Sequence, residues 1–565
     1  MAENASILSF FWDLASVDVA KRLQAGELLL QTLTSSQAAR SNVASSDLLY
    51  TIKRLVRGLA SSRDAARQGF GAALIEVLIA FAPVVALEQP LDVMDETMQI
   101  HGAMDGSEER DMLFGRLFTC ASILRSGRIA PLGAERRALL AARLAKELLF
   151  CYGKKTFLQE MSAALVSELM AQIPPAEVQR AVWPHIAPLL TPPLPEWNAH
   201  ALFLGLRLCR TLPPATAAAL LPHVALRSGT LLHSGNLMQL VAPLKAASSV
   251  HPRLHCVWDE ALGQICGTSG GGAAAKQPPP GQTTAPAAAA EAGGDAPKKK
   301  KRKKGGAAAA DGPEEVAGPA AGAAGAVAGA GGNGGAVAVD DALLREFWQA
   351  VVEEGLVPST LERKYMSFSL LQHALPMVPG SLVGLVLSPA LLRCLINALE
   401  ESDRMLKPAA NATIKALVEQ AESSTSLRVA LVSGLLGRGR AGSADYDRNA
   451  NTKALRQLIS QGLDPGGEGE SIDFLIDFFC AAAGGAQRAA ADADATPAAA
   501  AGAAPGSNPE MEAEIRARQV TASRVWALDQ LLVLSRSALQ RFKARIAKPR
   551  RAHAAPGANG TAPAP

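Results

Sequence analysis

The chain has 565 residues, with 56 Lys and Arg against 52 Asp and Glu, and its formal charge of +4 leaves any attraction for nucleic acid to local clusters rather than to the whole molecule. Aromatic residues make up 4%, Leu and Ala dominate, and alternating Val/Ile/Thr runs are scarce, which excludes a sheet protein and points to an all-α fold. Seven cysteines (Cys120, Cys151, Cys209, Cys256, Cys266, Cys394 and Cys480) stand singly with no C-x-x-C pair, a pattern that excludes a disulfide scaffold and fits a reducing compartment.

From the N-terminus, the start lacks a basic region and Asp13 interrupts the short apolar run that follows, so a secretory signal is not expected. Val19, Leu23, Leu30 and Leu33 predict one amphipathic helix. The stretch 49–70 predicts a helical hairpin. Leu48, Ile52, Leu55 and Leu59 recur at helical spacing and form a stripe to be buried, with Lys53, Arg54 and Arg57 off it. Gly58-Leu-Ala-Ser-Ser62 breaks the pattern and offers serines as helix N-caps, and a second helix follows with Ala66, Phe70, Ala73, Leu74, Val77, Leu78 and Phe81 inward. Ala141, Leu144, Leu148 and Leu149 mark a later helix, and Pro174-Pro175, Pro192-Pro193 and Pro213-Pro214 punctuate the chain at the pitch of one helix plus a turn. Residues 1–266 thus read as an armadillo- or HEAT-like array of roughly six helical pairs at a spacing of about 40 to 47 residues, stacked into a superhelix; the alternative is an irregular bundle.

Residues 267–340 are rich in Gly, Ala and Pro and cannot build a core, so they read as a disordered linker. A second helical block is expected at 341–482. Within it, 367–392 carries no Asp, Glu, Lys or Arg, yet its prolines and glycines favour two buried helix segments over a membrane span. A low-complexity linker at 483–508, an amphipathic helix with a basic end at 509–547 and a disordered tail at 548–565 complete the division.

Lys298, Lys299, Lys300, Lys301, Arg302, Lys303 and Lys304 are consecutive cations after Pro297, suited to the acidic groove of an import receptor and so to nuclear localisation. Arg541, Lys543, Arg545, Lys548, Arg550 and Arg551 form a second basic cluster, with no acidic residue after Asp529. Lys53, Arg54, Arg57, Arg63 and Arg67 form a third. Each is a candidate for phosphate contact, or a solvated face; no zinc-finger spacing, aromatic RNA-binding motif or basic zipper accompanies them, so base reading is not expected.

Catalysis finds no support. Asp492 and Asp494 lie in an alanine run that would not hold them, Asp105, Glu108, Glu109 and Asp111 read as an acidic loop before a helix, and no phosphate loop or nucleophile elbow appears. His251, His255 and Cys256 suggest a metal site, but Pro252 is placed to start a helix there and Trp258 to pack, so neither metal nor cofactor is expected.

Several segments beyond the 49–70 hairpin look familiar in order: Phe11-Trp-Asp-Leu-Ala-Ser16 with Lys21-Arg-Leu23, Leu113-Phe-Gly-Arg-Leu-Phe118 with Ser126-Gly127, and His251-Pro-Arg-Leu-His-Cys-Val-Trp-Asp259. Leu361-Glu-Arg-Lys-Tyr365, Val386-Leu-Ser-Pro-Ala-Leu-Leu-Arg-Cys-Leu-Ile-Asn397 and Asp403-Arg-Met-Leu-Lys-Pro-Ala-Ala410 follow. Together they resemble the Myb-binding protein 1A family, also called DNA polymerase phi. The resemblance implies a nucleolar, armadillo-like protein of ribosomal RNA gene transcription and ribosome biogenesis. Its partners would be ribosomal DNA or pre-ribosomal RNA, transcription or ribosome-assembly proteins and an import receptor, with no membrane. The reading is therefore a non-enzymatic scaffold, against a DNA-directed DNA polymerase, as the family name implies, and, more weakly, a nuclear transport receptor.

Overall fold

The computed structural model describes residues 7–38, 43–247, 253–267, 340–400 and 405–421, together with isolated positions beyond them. The described chain is helical throughout; its one β feature is an isolated bridge between Arg227 and Thr230. In order run α1 (Ile7–Leu14), α2 (Val19–Ala38), α3 (Ser46–Leu59), α4 (Asp64–Ala80), α5 (Glu88–Thr97), α6 (Gly106–Arg125), α7 (Ala134–Lys154) and α8 (Gln159–Gln172). Then come α9 (Pro175–Glu177), α10 (Trp183–Leu190), α11 (Ala199–Thr211), α12 (Pro214–Leu220), α13 (Leu237–Ala246) and α14 (Cys256–Ile265). From residue 341 follow α15 (Asp341–Phe347), α16 (Leu361–Ala374), α17 (Val383–Val386), α18 (Pro389–Glu400) and α19 (Leu406–Ala421), with π-helical segments at Val178–Val182 and Trp348–Leu356.

The hairpin forms as its pattern requires. Leu48, Ile52, Leu55 and Leu59 of α3 are fully buried, and all seven inward positions expected on α4 lie in the core. The caps differ: Ser45 is the side chain that caps α3, accepting from the Leu48 N–H at 3.2 Å, whereas Arg63 stands at the N-cap of α4 without a side-chain bond. Ser61 instead accepts from the Arg63 N–H and shapes the turn. The prolines act as starts, Pro175 and Pro214 each opening a helix where the missing N–H is of no consequence.

The face expected for α2 is corrected. Leu33 is buried and Leu30 partly so, but Val19 and Leu23 stand 58% and 67% exposed, and the buried stripe is Ala25, Leu29 and Leu33. The helix turns because α4 comes so close to the α1–α2 corner that a Cβ on Gly69 would sit 1.9 Å from the Leu14 carbonyl oxygen, while Arg22 leaves the core side to bind that corner.

Repetition shows in the long-range polar contacts. Arg22 to Gln68 spans 46 residues, Arg128 to Leu78 50, Arg136 to Glu88 48, Arg137 to Glu177 40, Tyr152 to Asn198 46, Arg207 to Glu260 53 and Gln372 to Thr413 41. Units that pack on their neighbours give such separations, while Arg116, 21 and 31 residues from its carboxylates, and Glu160, 96 from Cys256, depart from them. One ladder of packed helices runs α4, α6, α8, α11, α14. Beyond residue 340 the chain returns to this stack: α13 packs against the π segment Trp348–Leu356, and His373 of α16 pairs with Asp259 of α14.

The uncharged stretch 367–392 covers the second half of α16, all of α17 and the first turn of α18; the segments Gly380–Val386 and Pro389–Leu399 are bent from each other by 62°, with Val383, Val386, Leu391, Leu392, Leu395 and Leu399 buried. Among the described residues no single helix is long and apolar enough to cross a membrane.

Candidate nucleic-acid interface

Of the basic residues singled out from sequence, those at 298–304 and 541–551 lie outside the described residues. The α3–α4 cluster is described, and its members part company. Arg67 turns inward: its guanidinium donates to the Ser61 carbonyl at 2.6 Å, pairs with Asp64, approaches Asp111 at 3.9 Å and lies over the Phe114 ring at 4.8 Å. It closes the hairpin turn against α6, with 11% of its side chain exposed. Lys53 pairs loosely with Glu96 at 3.8 Å, both half exposed or more. Arg54, Arg57 and Arg63 point to solvent, and among the described residues no carboxylate pairs with them. Arg54 lies over the ring of Phe11 at 5.9 Å, and Phe11 meets Tyr50 edge-on at 6.2 Å. Tyr50 of α3, partly exposed, thus borders this buried ring, and the exposed Trp12 follows Phe11 directly in α1. Sequence reasoning passed over both; the signal was there in Tyr50, one turn before Arg54 and off the apolar stripe.

Two of the segments that carry the family resemblance, 113–118 with 126–127 and 251–259, are packing devices. In 113–118, Leu113 and Leu117 are buried, a Cβ on Gly115 would meet the Met98 sulfur at 2.7 Å, and Arg116 gathers three partners. Its guanidinium donates to the Met98 carbonyl at 3.0 Å, to Asp95 at 2.8 Å and to Glu147 at 2.5 Å, tying α5, α6 and α7 together. Burial works against this charge, but Glu147 and Asp95 outweigh it and raise the pKa. After Ser126, Gly127 takes φ +68°, the left-handed geometry that ends a helix, and aims Arg128 at the carbonyls of Leu78, Ala82 and Val85 at 2.7 to 2.9 Å. One arginine thus closes the C-terminus of α4 from the neighbouring unit.

In 251–259, α14 begins at Cys256, not at Pro252 as its sequence suggested. The His255 ring is the cap, with Nδ1 accepting from the Val257 N–H at 3.0 Å and Nε2 2.7 Å from Nδ1 of the buried His200. Glu160 of α8 accepts from the Cys256 N–H at 3.1 Å, and Trp258 is fully buried. Candidate metal-ligating atoms of Glu160, His255 and Cys256 lie within 4.8 Å of one another, but two of the three groups already serve the first turn of α14. His251 lies outside the described residues.

The acidic residues at 105–111 are not a loop. Asp105 is the N-cap of α6, held below the usual carboxylate range chiefly by its bond with Ser107, while Glu108 and Glu109 occupy the first turn, where the helix dipole favours them. Glu109 pairs with Lys155 at 2.6 Å and Asp111 with Arg110 at 3.1 Å. Asp492 and Asp494 lie outside the described residues. Burial pushes the thiols of Cys151 and Cys209 up to about 12 and that of Cys266 to about 11, so these cysteines serve as packing groups and not as nucleophiles.

A family model described as DNA polymerase phi matches residues 50–546. The chain belongs to the DNA polymerase phi family. Within that family it is 27% identical over 458 residues to the rDNA transcriptional regulator pol5 of Schizosaccharomyces pombe, an alignment covering 80% of this chain and 40% of that protein. It is 29% identical over 182 residues to Myb-binding protein 1A of Rattus norvegicus, 32% of this chain and 12% of the relative, and 33% identical over 131 residues to a Myb-binding protein 1A-like protein of Danio rerio, 23% and 10%. The chain thus spans two-fifths or less of the length of these relatives. The phi-family match begins at Tyr50, inside the hairpin, and leaves Trp12 ahead of it.

Proposed function

We propose that this chain is part of a non-enzymatic regulator of ribosomal RNA gene transcription. It works as a nucleolar scaffold, presenting a stacked helical surface to transcription or ribosome-assembly proteins and touching ribosomal DNA or pre-ribosomal RNA through basic segments that do not read bases. The observation that carries this reading is the alignment with an rDNA transcriptional regulator along 80% of the chain. The engagement of several of its more buried carboxylates supports it: Glu147 is held by Arg116, Glu177 by Arg137, and Glu260 by Arg207 and Arg210. A polymerase needs carboxylates free to converge on two metal ions.

On this reading residues 1–266 and 341–482 form the scaffold. The stretch 267–340 carries an import signal at Lys298–Lys304, 483–508 links to a basic-ended helix at 509–547, and 548–565 is a tail. Replacing Lys298 to Lys304 by neutral residues then moves the protein toward the cytoplasm. The function is tested by depleting the protein from cells and measuring occupancy of the ribosomal DNA repeat and pulse-labelled pre-ribosomal RNA; unchanged synthesis with no occupancy would overturn it. Primer extension by the purified chain on a primed template checks the enzymatic alternative, which predicts template-directed synthesis.

A further inference from the structure

The surface where α1 meets α3 combines features that phosphate contact alone does not require. Trp12 is 75% exposed, with Leu8 one turn before it on the same face at 53%. Phe11 between them packs into α3, against Tyr50, itself 47% exposed, and beneath the Arg54 guanidinium. Along α3, Arg54 stands one turn after Tyr50 and over the Phe11 ring, and Arg57 follows one turn further on. Large indole and phenol faces left in water beside unneutralised guanidinium groups suit a ligand that offers flat π-surfaces and negative charge at regular intervals. An unpaired polynucleotide strand offers both, whereas a duplex keeps its base faces stacked on one another.

We propose that Trp12 and Tyr50, flanked by Arg54 and Arg57, form a stacking platform for single-stranded RNA. This rests on the nucleic-acid reading of the α3 cluster and narrows it, since a regulator of ribosomal RNA genes meets its transcript as an unpaired strand. Bases lie on the two aromatic faces while the arginines hold the phosphates between them, so the site tolerates sequence and requires single strands.

The test uses the full chain and a 5-iodouridine-substituted single-stranded RNA of about 20 nucleotides, long enough to cover a site of the usual length. Irradiation crosslinks iodouridine to aromatic side chains that stack on it, and peptide mapping should find Trp12 or Tyr50. In titrations at fixed salt, Trp12→Ala should weaken the RNA complex by about tenfold, the loss of one stacked base, with duplex DNA affinity unchanged. Trp12 is exposed, so its replacement should leave the circular dichroism spectrum intact, and Tyr50→Ala supplies an independent second variant. Arg54→Gln with Arg57→Gln reports on the cationic cluster itself. If that pair weakens binding while the aromatic variants and crosslinks show nothing, the platform is overturned and phosphate contact stands; if no variant has an effect, both fall. Tighter binding of the matching single-stranded DNA also overturns it. So does sensitivity to Trp12→Ala confined to an acidic amphipathic peptide of Glu and Leu, which would make the surface a peptide dock.

Discussion

Arg116 shows how much of this protein rests on single cations used inside the array. Its side chain is 10% exposed and serves three helices at once, and Phe150 covers its guanidinium at 5.5 Å. Removing the arginine strands Glu147, itself only 12% exposed, without its partner. Arg116→Leu should therefore lower the unfolding free energy by about 3 kcal/mol, the usual cost of breaking one side of a buried pair, measured by urea denaturation. A midpoint equal to wild type would mean that Glu147 finds water or another cation. That Arg54 is external follows from its place off the apolar stripe of α3, but that Arg116 is internal could not be read from its own helix; what holds it there is the carboxylates 21 and 31 residues away.

Helices in this stack meet closely enough that side-chain volume at the crossing decides the fit. At Gly69, α4 lies against the carbonyl of Leu14, leaving no room for a methyl group. Gly69→Ala would raise helix propensity in isolation by up to about 1 kcal/mol. Here it should instead destabilise by about 2 kcal/mol, because backbone and not a flexible side chain must move. A thermal melt gives the sign directly, and stabilisation would show that α1 yields at little cost.

The contact between α14 and α16 carries a pH dependence. The bond with Asp259, opposed by burial, raises the pKa of His373 above its ordinary 6.5. A raised folded pKa means that the link is fully present below about pH 6.5 and is lost as pH climbs through the raised value. The thermal midpoint of the wild type should fall more between pH 6 and 8 than that of His373→Gln. Parallel pH profiles would remove His373 as the cause.

For the molecule as a whole, a charge near neutrality with its cations in clusters makes nucleic-acid affinity a matter of salt. If Lys298 to Lys304 and the basic tail neutralise phosphates, log affinity for duplex DNA should fall linearly with log salt at a slope near −4, as for four or five contacts. Truncation after Asp529 should lessen the slope and leave the helical content of the array intact. Titrations with ribosomal and unrelated DNA check both points, and a flat response or a strong preference for one sequence would reject the electrostatic mechanism. The rigid stack and the cationic stretches then divide the work, one holding shape and the other supplying charge.

The all-helical character, the α3–α4 hairpin and its two buried stripes were legible in the amino-acid order, because helical period and turn chemistry are local and act over a few residues. The proline pairs were legible as punctuation for the same reason, though Pro252 does not start α14. Which face of α2 is buried, which cations are internal and why Arg128 stands where it does were not legible. Their partners lie one structural unit away, 40 to 50 residues along the chain in the case of Arg137 and Arg128, and no local pattern sets how one unit leans on the next. The exposed pair Trp12 and Tyr50 belongs with these. Tyr50 was legible only as lying off the apolar stripe of its own helix; that Phe11 of α1 reaches Tyr50 and Arg54 of α3 while Trp12 stays in water is decided by the tertiary packing.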